Sequence, residues 1–331
     1  MKNIVFLLFG VLVFTACSPK VNVQALQPAQ VDSVSQTKII AMHNFKGDSM
    51  GLSSKIQTHL ASKKINKKNY FTLVSRDDIE RILHEQKLQD SGLLDEGTAV
   101  ELGNLLGAQA LITGSISDKS SSDTRYYVKR SKCVDKECKK TKEYSVVCTA
   151  RTINLSAQIR IVAIEKGDIV FSDNLHAKKE WNACSDRDNV LPSKQHGLDL
   201  LSSRLASSFS AKLTPYYKSF SVTLLDEPDI EYTEKQEKTL ENALVYIQRQ
   251  RYTKAADLLN RLLSETQERS FVAAYNLGVV KEVQGNLQEA QELYALADNL
   301  SIEPVEEIDY AIGRISRSIQ NRQVALEQIQ K

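Results

Sequence analysis

Residues 69–116, NYFTLVSRDDIERILHEQKLQDSGLLDEGTAVELGNLLGAQALITGSI, constrain the fold of this chain most. A short apolar run, Tyr70 to Val74, leads into Ser75. A charged segment follows that puts Ile79, Ile82 and Leu83 on one helical face. Ser75 with Asp78 marks an N-terminal box, and Asp77 and Asp78 suit the positive end of a helix. Thr98 with Glu101 opens a second amphipathic segment carrying Val100, Leu102, Leu105 and Leu106, which Gly107 stops. Ala110 to Ile116 is a second apolar run. The order strand, helix, helix, strand predicts an α/β core, and nothing in it resembles a reaction centre.

The 331 residues leave room for two domains, and a net charge of +2 gives no overall field, so any electrostatic partner must be met by a local patch. Lys2 followed by the apolar run Ile4 to Ala16 has the form of a signal peptide (1–16) and is too short to span a bilayer. The run ends Phe14-Thr15-Ala16-Cys17. Small residues before a cysteine match a lipobox, with Phe14 in place of the usual Leu, and predict acylation of Cys17. Residues 17–36 read as a polar, lipidated tether. Lys38 to Phe45 reads as a buried strand. Leu52, Ile56 and Leu60 give a helix, and Lys63 to Lys68 a basic turn. Ile153 to Ala163 alternates apolar and polar residues as a half-buried strand, and residues 165–168 turn into the next strand. Leu198, Leu201, Leu205 and Phe209 predict another helix. Ser219 to Leu225 reads as the last strand of an α/β domain spanning 37–226.

From 233 to 331 helix formers take over. Tyr252-Thr253-Lys254-Ala255 is similar to Leu287-Gln288-Glu289-Ala290, and Leu259 and Leu262 correspond to Tyr294 and Ala297. The spacing is about one tetratricopeptide repeat. Asn276-Leu277-Gly278 and Gly285 sit where such a repeat wants them. Tandem helix pairs leave a concave face for a protein partner. Tyr252, Tyr275, Asn276 and Tyr294 are the side chains expected there.

With Cys17 acylated, Cys133, Cys138, Cys148 and Cys184 remain. An even number in an oxidising compartment argues for two disulfides. The expected pairs are Cys133–Cys138 in a basic loop and Cys148–Cys184 between neighbouring strands, bracing a hairpin insert at 118–190. A four-cysteine zinc site would need two closely spaced pairs, and only the first comes near. The five histidines have no metal-ligand spacing. Gly114-Ser115 lacks the second glycine of a nucleophile elbow, and no phosphate loop or dinucleotide fingerprint is present. No catalytic residue, metal site or cofactor is therefore expected. Lys129, Arg130, Lys132, Lys136, Lys139, Lys140 and Lys142 gather in one hairpin. Lys129, Arg130, Lys132, Lys139 and Lys140 are candidates for contact with anionic lipid headgroups, against the plainer reading of a solvated loop. An exported chain excludes nucleic acid as a partner.

Phe71 to Arg76, Ile79 to Gln86, Ala99 to Ala108 and Leu111-Ile112-Thr113-Gly114-Ser115-Ile116 resemble the core of the CsgG family of curli production assembly and transport lipoproteins. The resemblance covers roughly 38–225. It implies an α/β fold in three layers, a mixed sheet flanked by helices, here followed by the all-α helical repeats. It also implies a non-enzymatic role at the periplasmic face of the outer membrane, with outer-membrane lipid as a partner through Cys17. In curli secretion the subunits form a ring and each adds two hairpins to a transmembrane β-barrel. This chain departs from that pattern: Asp123 to Cys133 carries charge on both faces, and Asp173 and Lys179 interrupt the apolar row of the next strand. The alternative is a regulator resembling the LpoB activators of peptidoglycan synthesis, for which the 19 residues from Ser18 to Gln36, about 65 Å at full extension, are short.

Overall fold

The computed structural model describes residues 18–65, 67–75, 79 and 96–330. The expected helix through Ile82 and Leu83, the signal peptide and Cys17 lie outside them. The chain divides into two compact units. One comprises residues 28–216 with the end of the C-terminal helix from Val324. The other comprises 217–323 with the N-terminal residues to Gln27.

The α/β unit is built on a five-stranded mixed sheet. Its strands are β2 (Ile39–Met42), β5 (Thr72–Leu73), β6 (Ala110–Cys133), β7 (Thr141–Ala163) and β8 (Asp168–Cys184), in the order β5-β2-β6-β7-β8. β2 runs parallel to β5 and β6, and β6, β7 and β8 are antiparallel. Alternation along the strands decides which face each side chain serves. Ile40, Met42, Ile112, Ile153, Leu155, Ala157, Ile159 and Ile161 point to one face. There they pack with Leu52, Ile56 and Leu60 of α2 (Leu52–Ser62) and Leu201, Leu205 and Phe209 of α4 (Lys194–Lys212). Ala41, Leu111, Val162 and Ile164 point the other way, under Ala99 and Leu102 of α3 (Glu96–Leu106). These are the three layers implied by the family resemblance. Helix ends are satisfied locally. Asp48 accepts from the Leu52 and Ser53 amides at 2.8 and 2.9 Å, a carboxylate at the positive end of α2. Gly107, at φ +63°, ends α3 in the left-handed conformation that glycine adopts without strain. At the expected basic turn, β3 (Lys64–Ile65) and β4 (Lys68–Asn69) pair as a short antiparallel ribbon.

The helical unit contains α5 (Glu234–Gln248), α6 (Tyr252–Glu265), α7 (Phe271–Val283), α8 (Leu287–Leu300) and most of α9 (Glu306–Gln330). α5 packs on α6 and α7 on α8, an arrangement consistent with two tetratricopeptide-like repeats. The residues matched between the two segments, Ala255 with Ala290, Leu259 with Tyr294 and Leu262 with Ala297, are all fully buried. Gly278 lets α7 and α8 approach: a Cβ there would lie 2.7 Å from the Tyr294 ring.

The unit also holds a two-stranded ribbon of β1 (Lys20–Gln27) and β9 (Tyr216–Thr223), which revises two readings of the sequence. Residues 20–27 are a strand and not a tether. They are followed by the short helix α1 (Asp32–Gln36). β9 does not join the α/β sheet; it pairs with β1 and, from Tyr217 on, belongs to the helical unit. The cause is the alternation Val21, Val23, Ala25 within an otherwise polar segment. Val21 and Val23 are buried with Val222 and Leu224 against Leu240, Ala243 and Ile247, and Ala25 is buried as well.

Candidate functional site

β6 and β7 are 24 and 23 residues long, far more than the core needs. β2 pairs with β6 only from Ala110 to Ile112. Beyond Ile116 the strands β6, β7 and β8 continue as a three-stranded antiparallel arm as far as Cys148 and Cys184, and β6 and β7 go on alone as a hairpin to Cys133 and Thr141. Its outer part, Asp118 to Cys133, extends about 50 Å at the usual strand rise. The expected hairpin insert is therefore a continuation of the central strands and not a separate element. Exposed polar residues line most of it. Its inner part packs through Ile153, Leu155 and Ala177 into the core with α4, and farther out it is held by ion pairs and disulfides. Asp123 accepts from Arg151 Nε and Nη2 at 2.8 and 2.6 Å, while Arg151 Nη1 donates to the Pro192 carbonyl at 2.8 Å. The Arg151 hydrogen bonds hold the Asp123 carboxyl below its ordinary pKa. Tyr126 donates to Asn182 at 2.9 Å. Cys148 and Cys184 face each other in the β7–β8 register and are bonded.

At the tip, Cys133 is bonded to Cys138. Asp135 turns its carboxylate inward and accepts from the Lys139 and Lys140 amides at 2.8 and 2.9 Å. The Val134 amide closes the loop on the Lys140 carbonyl at 2.8 Å. Of the candidate headgroup residues, Arg130 is paired with Asp186 at 3.0 Å, and Lys139 is paired with Glu137. Lys129, Lys132 and Lys140 are exposed, Lys132 resting over the Tyr144 ring. The residues missed in the sequence are Asp135 and Val134. An Asp four residues before a lysine pair was the available signal for the loop clamp.

The four side chains expected to face a protein partner separate. Tyr252 is half-buried at an open cleft of about 500 Å³ with Lys20, Asn22, Gln24, Ser219 and Gln248. The other three are spent inside the helical unit, which corrects that expectation. Tyr275 donates to the Thr223 carbonyl at 2.8 Å. The Asn276 amide accepts from Leu225 N and donates to Leu225 O, at 3.1 and 2.7 Å. The chain entering from β9 thus occupies the polar groups of α7 that a bound peptide would otherwise meet. Tyr294 is fully buried and donates to Glu282 at 2.7 Å, and Arg314 donates to the same carboxylate at 2.9 to 3.3 Å. Burial opposes the Arg314 charge, but the Glu282 hydrogen bonds and charge more than offset it and raise its pKa.

Residues 16–182 match the family described as curli production assembly/transport component CsgG. The match begins at the segment that contains Cys17, takes in the strand–helix–strand core, and ends within β8 of the arm. The chain belongs to the CsgG family. Its place there is with proteins of assembly and transport. Among solved structures, the hypothetical protein CT253 from Chlamydia trachomatis is similar at 14% identity. The likeness covers 54% of this chain and 95% of that one, with a TM-score of 0.30. No curated protein matches the chain. Among the described residues, no group of His, Cys, Asp or Glu could hold a metal ion, and no helix is long and apolar enough to cross a membrane.

Proposed function

We propose that this CsgG-family chain is a non-enzymatic lipoprotein of the outer membrane. It serves assembly or transport of a cell-surface or secreted, curli-like structure from the periplasmic face. The family match, which runs from the lipobox to the arm, carries this reading. Acylation at Cys17 supplies the anchor, since two or three buried acyl chains at about 0.8 kcal/mol per CH₂ hold a protein durably. The helical unit docks a protein partner. That partner would meet the open cleft around Tyr252 and not Tyr275 or Asn276, whose polar groups are already occupied. A ring of copies of the chain is the assembly that the family resemblance implies.

Two measurements test the reading. The mass of the N-terminal peptide from membranes should carry a diacylglyceryl group and an acyl chain on Cys17, and Cys17→Ala should move the chain to the soluble fraction. Detergent-extracted protein should sediment as a ring of many subunits. A clean monomer contradicts the transport reading and favours an adaptor.

A further inference from the structure

We infer that the tip of the β6–β7 hairpin is a docking surface for anionic phospholipid headgroups at a membrane surface. Residues 129–144 hold seven cations against three carboxylates, a net charge of +4 in a chain whose total is +2. The structure shows what two of those three carboxylates do. Asp135 is turned into its own loop as acceptor for two backbone amides, and Glu137 is paired with Lys139. Among the described residues, the side chains of Lys129, Lys132, Lys136, Lys140 and Lys142 have no carboxylate partner. The positive charge therefore faces outward at the end of a stiff arm.

Three observations favour a lipid surface over an acidic protein. Six of the seven cations are lysines, point charges suited to a field of phosphates. The single arginine, whose fork would dock a particular carboxylate, is already held by Asp186. Apolar and aromatic side chains are interleaved with the lysines and exposed: Val134 at 63%, Tyr127 at 76% and Tyr144 at 37%. That mixture suits the headgroup layer, where aliphatic and aromatic groups sit beside snorkelling lysines. The tip is also fixed in advance, by Cys133–Cys138, the Asp135 clamp and the Val134–Lys140 hydrogen bond, so little order is lost on contact.

The test uses the chain from Ser18 onward, which carries no acyl group, so failure of the lipoprotein reading would not disturb it. Flotation is compared between vesicles of phosphatidylcholine alone and vesicles with about a quarter phosphatidylglycerol, in low and high salt. Binding to the anionic vesicles only, weakened by salt, is expected. Lys129→Glu, Lys132→Glu and Lys140→Glu together should reduce it at least about tenfold. The same reversal at the exposed Lys64, Lys67 and Lys68, in the other basic turn, should leave it within about twofold. Circular dichroism and a count of free thiols confirm that each variant is folded. Hydrogen exchange of residues 129–144 should slow with anionic vesicles alone, and Val134→Asp should weaken binding without touching a lysine. Equal binding to neutral vesicles, retention in the tip variant, or equal loss in the control variant overturns the proposal. Binding to polyglutamate without binding to vesicles also overturns it, in favour of an acidic protein.

Discussion

The helical unit buries a carboxylate. The Glu282 side chain is 1% exposed, and Arg314 and Tyr294 make that tolerable by supplying charge and donors. Arg314→Ala would leave an uncompensated buried charge, at a cost of about 3–5 kcal/mol. It should appear as a lower urea midpoint for loss of helical circular dichroism. Arg314→Lys keeps the charge without the fork and should fall between. The buried and half-buried phenols of the same unit set its alkaline limit. Burial pushes Tyr232 up to about 12 and raises Tyr275 and Tyr294 above the ordinary value of 10. The folded state then holds more protons than the unfolded one above pH 10. Their contribution to stability is complete below pH 10 and is lost as pH rises toward 12 and beyond. In an alkaline titration, part of the tyrosinate absorbance should arrive only as the helices melt; complete ionisation of a still helical protein would contradict this. Repeat spacing marked Tyr275, Asn276 and Tyr294 in the sequence but could not say what they touch. A repeat pattern records a helical position, and whether that position faces a partner or the chain's own Thr223–Leu225 depends on residues some fifty away.

At the scale of elements, the arm was half readable. The alternation from Ile153 to Ala163 announced β7 because one face is buried, and an even number of cysteines announced the two bridges. The extension of β6 through Ser120, Ser121, Ser122 and Asp123 was not visible, because a strand exposed on both faces loses its period of two. β1 shows the opposite failure. Its alternation was present, yet only the pairing with β9 reveals it as structure. The two bridges differ in weight. In the chain-entropy model the one spanning 36 residues contributes about 4 kcal/mol and the one spanning 5 about 2. Cys148→Ala with Cys184→Ala should therefore speed hydrogen exchange along the β7–β8 arm more than Cys133→Ala with Cys138→Ala, whose effect should stay at the tip. Equal effects of the two pairs would sink that ranking.

At the scale of the whole molecule, the first described residues are part of the fold. Removing 18–27 takes Val21 and Val23 from the core of the helical unit. Two buried valines are worth about 3–6 kcal/mol. A chain begun at Pro28 should show a lower melting temperature for its helices, and unchanged melting would contradict the place of β1 in that unit. This strand bears on the proposed anchor. Only Ser18 and Pro19 separate Cys17 from Lys20, a reach of about 10 Å. An acyl group on Cys17 would moor the helical unit against the bilayer instead of floating it through the periplasm. Its encounters would become a lateral search in two dimensions, at the high local concentration of a surface layer. Partners beyond that layer would have to come to it.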